Sequence, residues 1–81
     1  MTYFNYHAKA KNLIISNHLL SVTVFNEYHH IKPALVLYFD NSKPIPIRSY
    51  RWNEYLPLIY NSKVPILNPS KIDLAQFSSL N

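Results

Sequence analysis

Glycine is absent from this chain of 81 residues, and so is cysteine. Without glycine no phosphate-cradling loop of the nucleotide-binding kind can form. Without cysteine there are no disulfides, thiolate zinc sites or thiol nucleophiles. Acidic residues are scarce, with Asp+Glu 4 against Lys+Arg 8 and a formal net charge of +4. The four carboxylates are Glu27, Asp40, Glu54 and Asp73. Asp40 opens a turn and Asp73 suits a helix start, so both have structural explanations. Nothing local brings Glu27 and Glu54 together as an acid–base pair. Long apolar runs are missing too. The longest is residues 34–39, far short of the roughly 20 that a spanning helix needs. The first residues show neither the basic start nor the apolar stretch of an export signal, so the cytosol is the expected compartment. The length also leaves no room for a doubly wound nucleotide fold or an eight-stranded α/β barrel.

Apolar residues make up 48% of the chain and aromatics 15%, including Tyr 7 and Trp 1. This composition excludes disorder, which needs low hydrophobicity and high charge. The chain reads as a single domain over residues 1–81. Its richness in Ile, Asn, Lys, Tyr and Phe, with no glycine, suggests an AT-rich source, such as a low-GC bacterium or a virus infecting one, and in the latter case a viral or phage accessory protein.

With no glycine, asparagine, aspartate and proline must make the turns. Between them, residues 18–26 alternate: Leu20, Val22 and Val24 share one parity, and Ser21 and Thr23 take the other. That is a strand with one wet face. Residues 34–39 are apolar on both parities, as in a strand covered on both faces. Residues 40–43 form a hairpin loop, and residues 45–48 return as a partner strand. Pro44 and Pro46 place that strand at a sheet edge, since neither can donate to a ladder.

At the N-terminus residues 3–7 alternate like a strand. Residues 11–15 suit a second short strand, with a helix over 8–15 as the alternative. Trp52, Tyr55, Leu56 and Ile59 have helical spacing, but Pro57 predicts that the helix ends near Leu56. Residues 63–67 read as extended. Asn68 and Pro69 look like the cap and first turn of a C-terminal helix through Phe77. The expected fold is a small β-rich α+β domain. It has an antiparallel sheet of four or five strands, open or closed into a small barrel, and one or two short helices, the clearest near the C-terminus.

The chemistry-bearing features are few. His29 and His30 are adjacent, so on a strand they would point to opposite faces and could not share a metal, whereas in a loop they could, if His7 and His18 joined them with Glu27 or Asp40 as an oxygen ligand. No histidine pair has the spacing of a zinc helix. No serine lies in a nucleophile elbow. The chain therefore reads as non-catalytic, with no cofactor and no metal site. Residues 43–55 stand out, because Lys43, Arg48, Tyr50, Arg51, Trp52 and Tyr55 interleave cations with aromatics. Arginine forks bind phosphate and aromatic faces stack on bases. On an extended chain Arg48, Tyr50 and Trp52 share a parity and would form a stacking platform. The alternative places Trp52 and Tyr55 in the core while the arginines lay their stems along it.

Tyrosine and arginine also dominate interface hot spots, while lysine and glutamate are depleted there. The leading functional expectation is a small interaction module that docks on a partner protein through an aromatic-rich surface. A host-directed inhibitor from a virus or mobile element is one form of it, and a second copy of the chain is a compatible partner. The alternative is binding of single-stranded nucleic acid or a nucleotide through residues 43–55.

Overall fold

A single helix, α1, spans Thr2–Ile15. Ala8 and Ala10 are strong helix formers. Ala10 and Ile14, four apart, lie on one stripe and are buried. The helix ends at Asn17, whose φ of 66° places it in the left-handed region. The Asn17 N–H donates to the Ile14 carbonyl at 3.1 Å, and the His18 N–H donates to the Leu13 carbonyl at 3.0 Å. These are the paired bonds that close a helix when an asparagine supplies the turn. The two short strands expected over residues 3–7 and 11–15 are therefore one helix. Burial of the Ala10–Ile14 stripe outweighs the strand-like alternation of the first residues.

The computed structural model describes residues 2–68. Strand β1, Leu19–Phe25, is followed by β2, Ala34–Phe39, β3, Ile45–Arg48, a 3-10 turn, Ser49–Arg51, helix α2, Trp52–Ser62, and strand β4, Ile66–Leu67. The sheet order is β3-β2-β1-β4. β1 pairs antiparallel with β2, and β2 with β3. β4 runs parallel to β1, with Val22 opposite Ile66 and Thr23 opposite Leu67. The expected wholly antiparallel sheet is thus a mixed one. It is open, with β3 and β4 at its edges, so it is neither five-stranded nor a closed barrel among the described residues. The C-terminal helix expected after Asn68 lies outside the described residues.

One sheet face carries the core. Val22, Val24, Leu35, Leu37, Ile45 and Ile47 meet Ala10 and Ile14 of α1 and Trp52, Tyr55, Leu56 and Ile59 of α2. Ala34 and Val36, on the other parity of β2, are buried as well. A bulge interrupts β1, because Leu19 pairs with Phe39 but Ser21 with Tyr38. Leu20 is the extra residue and is 56% exposed, although its parity matches the buried Val22 and Val24. An unpaired residue in a bulge is re-aimed in this way.

α2 does not stop at Leu56. It runs through Pro57 to Ser62 and is closed by Lys63, with φ 59°. Proline inside a helix removes one hydrogen bond and crowds a carbonyl, at a cost of about 3 kcal/mol. Pro57 sits on the exposed side, while Tyr55, Leu56 and Ile59 are fully buried. Core packing on both sides of the proline holds the helix together.

Candidate functional site

β3 ends in the 3-10 turn, and this junction decides where the basic–aromatic segment points. Arg48, the last residue of β3, is exposed, and Tyr50 in the turn is 74% exposed. The chain then rotates into α2, and Trp52 and Tyr55 are carried inward to 0% exposure. The Trp52 Nε1–H donates to the Ile47 carbonyl at 2.8 Å. The extended platform of Arg48, Tyr50 and Trp52 is therefore not formed. Residues 49–51 coil, so parity no longer applies, and Trp52 anchors the core.

The remaining members face two neighbouring depressions. The larger, about 420 Å³, is lined by Tyr6, His7, Ile31, Pro46, Arg48, Tyr50 and Arg51. The smaller, about 280 Å³, is lined by Tyr6, Lys9, Ser42, Lys43, Pro44 and Ile45. Tyr6 belongs to both, so they adjoin along edge strand β3. Lys43, Arg48, Tyr50 and Arg51 come together here, joined by Tyr6, His7 and Lys9 of α1. Both arginines of the chain line this groove, and among the described residues no carboxylate does. Tyr6, His7 and Lys9 lie outside the segment singled out from sequence. The signal for them is the i, i+3 spacing of Tyr6 and Lys9, which matters only once residues 2–15 are a helix.

Behind the groove a polar cluster ties α1 to α2. Arg51 Nη1 donates to Glu54 Oε1 at 3.0 Å and to Oε2 at 3.2 Å. Lys11 Nζ donates to Glu54 Oε1 at 2.8 Å and lies 5.4 Å from the centroid of the Tyr55 ring. The Lys11 hydrogen bond is the chief reason that the Glu54 carboxyl titrates below its usual range, and the two cationic charges add to it. His7 Nδ1 is 2.6 Å from the Tyr55 hydroxyl. Burial holds the His7 pKa below its ordinary value, and the Arg51 charge adds to this. Glu54 thus answers Arg51 and Lys11 together. Arg48, Lys9 and Lys43 have no ion pair among the described residues. The Arg51 Nε is buried and unpartnered among those residues.

The histidine pair has a backbone role. His29 and His30 have φ of 47° and 70°, the positive values that a two-residue type I′ hairpin turn requires. Tyr28 and Ile31 exchange both backbone bonds across it at 3.0 Å. Among the described residues no group of three or more His, Cys, Asp or Glu gathers to hold a metal. No described helix is long and apolar enough to cross a membrane. Comparison with protein-family models, curated proteins and solved structures finds no match for the chain.

Proposed function

We propose that this chain binds single-stranded nucleic acid in the groove along β3. The observation that carries the reading is the lining. Four cations, Lys9, Lys43, Arg48 and Arg51, and two tyrosines, Tyr6 and Tyr50, border two adjoining depressions that no carboxylate among the described residues lines. Cations that track a backbone, beside aromatic faces that accept any base, are the recurring design of single-strand binders. Lys43 and Arg48 stand five residues apart on an extended chain, about 16 Å at strand rise. That span is long for one free nucleotide and suits two or three linked ones. Tyr50 is the exposed stacking face, and Arg48, which has no ion pair among the described residues, is the fork for phosphate, while Arg51 is held by Glu54.

The test is a titration of dye-labelled oligothymidylate read by anisotropy. Three phosphate contacts, from Lys9, Lys43 and Arg48, at about 0.7 of logarithmic slope each, would weaken binding about 20-fold between 50 and 200 mM salt. Arg48→Ala is expected to lower affinity and reduce that slope by about 0.7. Tyr50→Ala is expected to lower affinity at every salt concentration. Thymidine monophosphate should compete poorly; if it competes as well as the oligomer, the ligand is a free nucleotide. Binding that ignores salt and both substitutions would overturn the proposal.

A second reading has its own observation. The bulge in β1 pushes Leu20 outward from a register that would have buried it. An exposed leucine placed by such an irregularity supports docking on a protein, including a second copy of this chain. Sedimentation of wild type and Leu20→Ser checks the second-copy form of the reading, with self-association expected only in wild type.

A further inference from the structure

His7 is not in the basic–aromatic segment, yet it lines the larger depression with both arginines and Tyr50. One ring nitrogen is already committed, since Nδ1 lies 2.6 Å from the Tyr55 hydroxyl. Tyr55 is fully buried. Burial above all pushes its pKa up to about 12. The phenol keeps its proton near neutral pH, and because this buried hydroxyl has no other acceptor among the described residues, we take it to donate to Nδ1. A nitrogen that accepts carries no proton, so the neutral ring bears its hydrogen on Nε2. The Tyr6 ring stands edge-on to the imidazole, with centroids 5.3 Å apart and planes at 85°. Nε2 has no hydrogen-bond partner among the described residues.

We infer that His7 is a further binding residue of the groove, an imidazole fixed in one tautomer by Tyr55 whose Nε2–H donates to a phosphate oxygen of the bound strand. The inference rests on the single-strand reading above. It also makes binding sensitive to pH. The charged and titratable groups around the ring are Tyr6 and Lys11 from α1, Arg51 from the 3-10 turn, and Glu54 and Tyr55 from α2. Arg48 of β3 lines the same depression. In the free protein, burial and the positive charge of Arg51 and Lys11 outweigh Glu54 and disfavour imidazolium. A phosphate at Nε2 adds the missing negative charge and favours it. The protonated ring keeps its Tyr55 contact, with Nδ1–H now donating to the phenol oxygen. Strand binding therefore takes up a proton, and affinity rises as pH falls through the range between the free and bound pKa values.

The experiment uses oligothymidylate carrying a pH-insensitive rhodamine dye, because neither phosphodiesters nor thymine titrate in the relevant range. Wild-type affinity is expected to rise at least about fivefold from about pH 7.5 to about pH 5.5. His7→Gln, which keeps a neutral donor near the Nε2 position, is expected to bind at pH 7.5 within about twofold of wild type and to lose the pH dependence. His7→Ala is expected to lose roughly tenfold at pH 7.5. Imidazole nitrogen chemical shifts of the unliganded wild type read the tautomer without any ligand. The Nε2–H form is expected, and the Nδ1–H form would overturn the inference. If wild type binds through Arg48 but shares its pH profile with His7→Gln, the His7 inference fails while the single-strand reading stands. If no variant binds at either pH, both are overturned.

Discussion

At the residue scale, Trp52 and Glu54 show how differently two neighbours in one helix contribute. Trp52 is fully buried, and its indole N–H satisfies the Ile47 carbonyl. Trp52→Phe keeps most of the apolar area but removes the donor. It should destabilise the fold by about 1–3 kcal/mol, measured by urea denaturation. Glu54 acts through its charge. Its folded pKa lies below the ordinary value, so its contribution is present above the unfolded carboxylate pKa and is lost as pH falls through the folded one. Acid titration of stability should show that loss, and Glu54→Gln should flatten it. The side chains of the Lys11–Glu54 and Arg51–Glu54 bridges are each about one third exposed, so solvent screening keeps the effect small. The sequence displays the residue types of this cluster but not its membership. Lys11 and Glu54 are 43 positions apart, and only the packing of α1 on α2 joins them.

At the element scale, what is legible in the sequence follows local periodicity, and what is not follows long-range packing. β1, β2 and β3 announce themselves by alternation, by a run apolar on both parities and by edge prolines. The alternation of residues 3–7 points to strands where α1 forms, and the burial that decides the matter comes from α2. β4 is only two residues long, and its parallel pairing with β1 has no signature of its own. Within the candidate site, Lys43, Arg48, Tyr50 and Arg51 are legible as a contiguous segment. Tyr6, His7 and Lys9 are not, since a different element delivers them. α2 overrides the helix-breaking tendency of Pro57, which can be tested directly. Pro57→Ala restores an amide donor on the exposed side of the helix. It should raise stability by roughly 1–3 kcal/mol, seen as a higher melting temperature. The turns offer a second test. Lys63 closes α2 in the left-handed region, where a Cβ is unfavourable. Lys63→Gly should stabilise by about 0.5–1 kcal/mol, and replacing His29-His30 with Asn-Gly should act in the same direction.

At the scale of the whole molecule, the sheet has one long covered interior and two short edges. β4 offers two residues on one side, and β3 offers four on the other. The charge is likewise divided. The cations of the groove stand along β3, while Glu54 faces the seam between the helices. Pro44 and Pro46 occupy alternate positions at that β3 edge, Pro44 just before the strand and Pro46 within it. A proline at an edge turns its donor-less nitrogen to the outside. An arriving peptide strand would need amide donors there to extend the sheet, and would find them missing at two consecutive outward positions. A sugar–phosphate chain asks nothing of those amides, since it is held by side-chain charge and ring faces. On the single-strand reading proposed above, the two prolines that deny a peptide strand its amide donors at this edge are no obstacle to a polymer with a different backbone, so selection between the two kinds of chain would precede any reading of bases.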